Sequence, residues 1–243
     1  MKIAITFWGT GTYLNLLPEW YERLEDNFLP DIEKQYFVFT DGELEGVPDN
    51  INRIEIPDYG FPETFHKTFE EILKIEDRLK DFDWLVSVDA DLYVQERIEY
   101  GEFFDESKKY FGVHHPCHRV GFPPHNQHPG AYDRNSRSNA YIDDTIIDME
   151  IYYQGCLWGG KIPHVFDMMR EIDKWTQEDV LRESVGQYYE ESYLNKWFLT
   201  HRNEVHTLAA DYAYPQMFAQ YCDFPNKMMH LAKDNKSLGN NEW

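Results

Sequence analysis

The sequence predicts an α/β domain with a mostly parallel, doubly wound central sheet. Two observations carry that expectation. Through the N-terminal half, short apolar runs of strand length alternate with segments of helical spacing. One of those runs, Leu85, Val86 and Val88, ends in two carboxylates, Asp89 and Asp91. Open α/β sheets hold their ligands beyond the carboxyl ends of their strands, where this pair falls.

Lys2–Trp8 is the first expected strand, closing on the glycine-bearing turn Gly9-Thr10-Gly11-Thr12-Tyr13. A helix follows, with Leu16, Leu17, Trp20, Tyr21 and Leu24 at helical spacing. Gln35–Thr40 and Asn52–Ile56 read as the second and third strands, and Phe65–Leu79 as a helix. The strand Asp83–Asp91 comes next. In an extended backbone residues i and i+2 point the same way, so both carboxylates are expected to face one point. Hard oxygen ligands of this kind, with substrate phosphates, suit Mg²⁺ or Mn²⁺. A plain strand-to-loop turn rich in Asp is the competing reading. The first turn lacks the third glycine of a dinucleotide fingerprint, which disfavours that fold. It is either a weak phosphate cradle or an ordinary turn, with Trp8 and Tyr13 either stacking on a base or belonging to the core.

The chain has a net charge of −21 and is rich in aromatics, with 17 Tyr, 16 Phe and 7 Trp. Such acidity argues against nucleic acid or anionic membrane as partners, since both need basic surface. An anionic substrate then needs a local cation, which a divalent metal supplies. Three cysteines make no disulfide framework, and reduced thiols in a cytoplasmic protein are the expectation. No signal-peptide pattern and no stretch long and apolar enough to span a membrane is found.

Tyr110–Val113 is expected as a further strand, leading into His114, His115, Cys117 and His118, with His125 and His128 in a Pro/Gly-rich loop. A zinc site is one reading, but the spacings fit no zinc motif; a binding loop or lid is the other. Glu150–Lys161 reads as a strand whose Gly159-Gly160 permits close approach, and Pro163–Trp175 as a helix. Gln187–Leu199 is a second informative helix. Leu194, Trp197 and Phe198 follow Glu190 and Glu191 at helical spacing, so both acids border the inward stripe. They are either helix-start acids or carboxylates presented into a cleft. The tail from Ala210 shows little periodicity. Its small basic group, His230, Lys233 and Lys236, is either solvated or a phosphate ligand set.

Taken together, these motifs resemble the retaining family 6 glycosyltransferases, which include the blood-group A and B transferases, α-1,3-galactosyltransferase and soluble microbial and viral members. Arg134 with Ala140-Tyr141-Ile142 is similar to the family's arginine-containing segment. Tyr152-Tyr153 through Gly159-Gly160 resembles its Tyr-Tyr…Gly-Gly segment. Glu190-Glu191-Ser192-Tyr193-Leu194-Asn195-Lys196 matches its Asp-Glu-Ser-His-Leu-Asn-Lys, with Asp89-Ala90-Asp91 at the corresponding place. The resemblance covers nearly the whole chain.

It implies a single GT-A-type, Rossmann-like nucleotide-sugar-binding domain over 1–243: a nucleotide-binding half at 1–95, an acceptor and catalytic half at 96–225, and a flexible tail at 226–243. It implies that Asp89 and Asp91 hold Mn²⁺, with Mg²⁺ as substitute, on the diphosphate of a UDP-sugar. Trp8, Thr10 and Tyr13 surround uracil and ribose, and Lys233 grips the diphosphate. His115, Tyr188 and Arg134 fall among acceptor and donor-sugar contacts, and Gln154, Gly155 and Cys156 at positions that tune sugar choice. Glu191 matches the nucleophile or oxocarbenium stabiliser, with Glu190 beside it. The family's donor-site arginine falls at about Phe65, with His66 or Lys67 as its substitutes.

The expected activity is retaining transfer of galactose, N-acetylgalactosamine or a related sugar from a UDP-sugar to the 3-OH of a β-galactoside-type glycan. A nucleotide-sugar-binding protein or a UDP-sugar hydrolase is the alternative. Retention with loss of a diphosphate needs electrophiles on the leaving group and an anion against the reacting carbon, roles that fit the metal, a lysine and Glu191.

Overall fold

A computed structural model describes residues 1–118, 132–146 and 151–232. The first half runs as expected: β1 (Lys2–Trp8), α1 (Leu17–Asn27), β2 (Glu33–Thr40), β3 (Ile51–Glu55), α2 (Glu63–Lys74), α3 (Glu76–Leu79) and β4 (Trp84–Val88). The single helix expected over Phe65–Leu79 is two helices. Ile75 leaves the helical region at φ −106°, ψ 16°, and the chain restarts at Glu76. The second half adds β5 (Leu92–Val94), α4 (Tyr100–Phe103), β6 (Tyr110–His114), β7 (Tyr153–Lys161), α5 (His164–Leu181), α6 (Tyr189–Thr200), β8 (Val205–Leu208), β9 (Tyr214–Pro215) and β10 (Met228–His230).

The large sheet has the order β3-β2-β1-β4-β7-β6-β8. Neighbours are parallel except that β7 is antiparallel to both β4 and β6. The expected mostly parallel α/β sheet is therefore present, a GT-A, Rossmann-like arrangement. β1 lies between β2 and β4 and is buried from Ile3 to Phe7, as a strand covered on both faces should be. Its side chains alternate: Ile3, Ile5 and Phe7 join the core with α1 and its Trp20, while Ala4 joins the core under α2, α5 and α6. Lys34, buried on β2, donates from Nζ to the carbonyls of Leu24, Glu25 and Phe28 at 3.0, 3.1 and 2.8 Å. The Leu24 carbonyl also accepts from Phe28 N–H at 3.1 Å, and the ammonium gathers it with the other two carbonyls where α1 ends.

Gly159 on β7 shows why the Gly-Gly pair is there: a Cβ would lie 2.1 Å from the Leu85 carbonyl of β4. A small second sheet has the order β5-β10-β9. Met228–His230, inside the stretch expected to be a flexible tail, is a strand of that sheet, paired with β5 and β9.

Candidate active site

β4 stops at Val88, and Asp89-Ala90-Asp91 is a turn, closed by Leu92 N–H donating to the Asp89 carbonyl at 3.0 Å. The expectation that an extended i, i+2 alternation aligns the two carboxylates is thereby corrected: a tight turn brings them together. The turn is pinned on three sides. Asp89 N–H donates to the Cys156 carbonyl at 2.9 Å, the Trp20 indole donates to the Asp89 carbonyl at 3.1 Å, and Leu231 N–H donates to the Asp91 carbonyl at 2.9 Å.

That last bond follows from register. β10 runs antiparallel to β5 with His230 opposite Leu92, which sets the imidazole beside Asp91. His230 Nε2 lies 3.1 Å from Asp91 Oδ2. One atom each from Asp89, Asp91 and His230 fall within 4.8 Å of one another. Asp91 is buried and Asp89 exposed. Two hard carboxylates and an imidazole converging at a strand end suit a divalent ion such as Mn²⁺, so the donor set fits the expected metal.

Glu190 and Glu191 occupy the first turn of α6, the end of a helix that favours negative charge. Both oxygens of Glu191 are held. The Tyr152 hydroxyl donates to Oε1 at 2.6 Å and Gly155 N–H donates to Oε2 at 2.7 Å. Burial raises the Glu191 carboxyl, and these two hydrogen bonds oppose the rise. Burial and the Glu191 charge push the Tyr152 phenol well above its ordinary value, so it stays a donor. Glu190 differs. Its Oε2 is enclosed with no hydrogen-bond partner, and burial, then Asp89, push its carboxyl well above the usual carboxylate range.

β7 connects the two acid pairs. Its pairing with β6 shifts at Gly112 and Val113, which face Trp158 and Gln154 respectively, so Gly155–Leu157 bulge out of that ladder. Bulges next to active sites re-aim the chain. Here the Cys156 carbonyl takes the Asp89 amide while the Gly155 amide takes Glu191. A Cβ on Gly155 would lie 3.3 Å from the Glu191 Cβ, and 3.5 Å from a carboxylate oxygen of each of Glu190 and Glu191. Asn195, one helical turn after Glu191, locks α6 to β7: its Oδ1 accepts from Tyr153 N–H at 2.8 Å and its Nδ2 donates to the Tyr153 carbonyl at 2.7 Å.

A cavity of about 280 Å³ opens beside Glu191, lined among others by His115, His118, Tyr152, Gln154, Tyr188 and His230. The His118 ring stacks on Tyr152 with centroids 4.5 Å apart, and His115 Nδ1 accepts from Cys117 N–H at 3.0 Å. Aromatic faces with polar edges suit a sugar. Among the described residues, the metal-capable group is the Asp89, Asp91, His230 set rather than the histidines after β6; His125 and His128 lie outside the described residues.

Other expected positions divide. Trp8, on β1, stacks on Phe39 of β2 at 4.5 Å, and its indole N–H is enclosed without a partner. Thr10 donates to Asp58 at 3.1 Å, and Tyr13 packs at the edge of the α1-side core. Cys156 is buried. Arg134 turns back on its own segment, donating to the Ile142 carbonyl at 3.3 Å and pairing with Asp144, and it does not line the cavity. At the place of the missing arginine, Phe65 stacks on Tyr189 at 5.6 Å, His66 is buried, and Lys67 pairs with Glu70 at 2.8 Å. Lys233 lies outside the described residues. Tyr152 and His230 stood in the sequence without their roles. The signal for His230 was present, a histidine in a short basic group, but its carboxylate partner is remote in the chain.

A sheet of this topology, with acids at the carboxyl end of β4 and a hydrogen-bonded carboxylate across β7, fits a GT-A, Rossmann-like fold. The family model for glycosyltransferase family 6 matches residues 63–239. The chain is 26% identical to the O-antigen biosynthesis glycosyltransferase WbnI of Escherichia coli over 92% of each chain. It is 26% identical to human globoside alpha-1,3-N-acetylgalactosaminyltransferase 1 over 83% of this chain and 58% of that protein. It is 24% identical to histo-blood group ABO system transferase 2 of Rattus norvegicus over 98% of this chain and 71% of that protein. The chain belongs to glycosyltransferase family 6. It is thus a sugar transferase. None of its described helices is long and apolar enough to cross a membrane.

Proposed function

We propose that the protein transfers galactose, N-acetylgalactosamine or a related sugar from a UDP-sugar to the 3-OH of a β-galactoside-type glycan, with retention of configuration. The observation that carries this reading is the placement of two acid pairs on opposite sides of the β7 bulge, with Glu191 held by two donors beside a sugar-sized cavity. The names of the human and rat relatives, an alpha-1,3-N-acetylgalactosaminyltransferase and an ABO transferase, support the linkage and the sugar class. The E. coli relative's O-antigen name supports a glycan acceptor.

In this reading Asp89 and Asp91 hold Mn²⁺, or Mg²⁺ in its place, against the donor diphosphate. The ion supplies charge neutralisation to the departing UDP. Trp8, Thr10 and Tyr13 position the uridine, and Lys233 takes a phosphate. In its ionised form Glu191 stabilises positive charge at the anomeric carbon, by the logic of a retaining carboxylate. Tyr152 and Gly155 aim that carboxylate. Glu190 stands beside it as the second carboxylate of the pair. His115, Tyr188, Gln154 and Cys156 shape the sugar sites, while Arg134 supports its loop. The fold-level halves, nucleotide at 1–95 and acceptor from 96, follow the same reading.

UDP release is measured from a panel of UDP-sugars, with and without lactose, in Mn²⁺ and then in EDTA. Metal-dependent release from one sugar that rises with lactose is the expected result. Release indifferent to lactose and to other glycans means a UDP-sugar hydrolase, and UDP binding without release means a binding protein; either overturns transfer. We also propose a cytoplasmic location, supported by the buried thiols of Cys117 and Cys156; recovery of the native protein from a secreted or membrane fraction overturns it.

A further inference from the structure

We propose that His230 is a third protein ligand of the divalent ion, and that Gln154 sets the tautomer in which it binds. The proposal rests on the reading of Asp89 and Asp91 as metal ligands and extends it to the other end of the chain. Three observations carry it. His230 is delivered by β10, whose register against β5 and whose Leu231 bond to the Asp91 carbonyl at 2.9 Å fix the ring beside the acid pair. Its Nε2 is 3.1 Å from Asp91 Oδ2, inside a three-residue cluster with Asp89. Its Nδ1 lies 3.3 Å from the Gln154 side-chain nitrogen, while Gln154 Oε1 is enclosed without a hydrogen-bond partner.

The hydrogen count on the imidazole connects these facts. With the Gln154 amide nitrogen as donor to Nδ1, the ring proton sits on Nε2, which lies 3.1 Å from Asp91 Oδ2. A ring that ligates through Nε2 carries its proton on Nδ1 instead. Nδ1–H then needs an acceptor, and a half-turn of the Gln154 amide brings Oε1 to that place. The imidazole stays neutral throughout; one proton leaves Nε2 and one joins Nδ1 through water. Gln154 Oε1 gains the donor it lacks, and the pair becomes the ligand-orienting hydrogen bond that metal-bound histidines ordinarily make. Imidazole in the set favours Mn²⁺ or Co²⁺ over Mg²⁺, which prefers oxygen ligands and retained water.

The test is pulsed electron paramagnetic resonance of the intact protein loaded with Mn²⁺, alone and with UDP, together with Mn²⁺ affinity by equilibrium dialysis. The expected result is nitrogen hyperfine coupling from a directly bound imidazole in the wild type, lost in His230→Gln. Mn²⁺ affinity falls at least tenfold in His230→Gln and roughly 10–100-fold in Gln154→Leu, the usual range for loss of an orienting partner. Preference for Mn²⁺ over Mg²⁺ narrows in both. Bound Mn²⁺ without nitrogen coupling, or His230→Gln binding as tightly as wild type, overturns the proposal. The wild-type spectrum decides the matter even where a variant fails to fold. Asp91→Asn separates this proposal from its premise. If it abolishes binding while His230→Gln does not, His230 alone is wrong; if it leaves binding intact, or wild type binds no Mn²⁺ at all, the acid pair is wrong too.

Discussion

Removing a single oxygen atom from Tyr152 tests whether Glu191 acts as an aimed, ionised carboxylate. Tyr152 is fully buried, and its hydroxyl donates to Glu191 Oε1 at 2.6 Å. Its ring is fixed by other contacts, against His118 at 4.5 Å and Tyr132 at 5.3 Å, so Tyr152→Phe keeps the packing and deletes the donor. Gly155 N–H still holds Oε2, but Oε1 loses its hydrogen bond. A hydrogen bond to a charged group is worth about 1.5–3 kcal/mol. With about 1.4 kcal/mol per tenfold in rate, kcat/KM should fall roughly 10- to 150-fold if that bond persists in the transition state. A pH effect accompanies the loss. Burial raises the Glu191 carboxyl and Tyr152 holds it down, so without the hydroxyl it rises further. The acid limb of the rate profile therefore moves to higher pH. A group raised in the folded state favours folding below its unfolded pKa, and that contribution is lost as pH rises through the folded value. The variant's thermal midpoint should accordingly drop at neutral pH and recover in acid. UDP release with lactose across pH, beside melting curves, reads all three. A rate within twofold of wild type and an unmoved acid limb would refute the role given to Glu191.

Glu190→Gln should stabilise the protein. Its Oε2 is enclosed without a partner and its carboxyl is raised by burial, so the ionised form is what folding disfavours. Gln carries no charge at any pH, so it escapes the linkage cost of a carboxyl raised in the folded state and ionised in the unfolded one; Tm should rise by roughly a few degrees at neutral pH, a gain that vanishes in acid where Glu190 is protonated in both states; thermal melts at two pH values check it. Gly155→Ala should lose at least tenfold in transfer, since its Cβ meets the Glu191 Cβ at 3.3 Å. Its Tm should stay within a few degrees of wild type, and a matched pair of rate and melting measurements separates this from unfolding.

How much of this was legible in sequence follows from chain distance. The Asp89, Asp91 pair, the inward placement of Glu190 and Glu191, and the strand-helix alternation are local patterns, and local patterns survive into the fold. The break at Ile75 was not legible because apolar spacing continues across it. Neither was the turn at Ala90: an Asp-x-Asp serves a turn or a strand end equally well. Tyr152 and Glu191 are 39 residues apart, and Arg134 meets Asp144 ten residues on. No periodicity encodes either pairing. His230 needed the register of β10 on β5, which three-residue strands hardly announce.

The geometry between the two acid pairs is a property of backbone. On one side of the bulge the Cys156 carbonyl takes the Asp89 amide; on the other, the Gly155 amide takes Glu191. Asn195 then completes the ladder at Tyr153, bonding both its N–H and its carbonyl, so that helix α6 stands where a strand partner would. The placement of Asp89 relative to Glu191 is thus set by peptide units rather than by rotamers. Side chains on the bulge are released from that duty. Gln154 and Cys156 can vary in size and polarity while the acids keep their positions, provided residue 155 stays without a Cβ. In the proposed reading, such a scaffold would hold the reacting centre steady and leave sugar choice to its neighbours, as one fold hosting sites of different specificity requires.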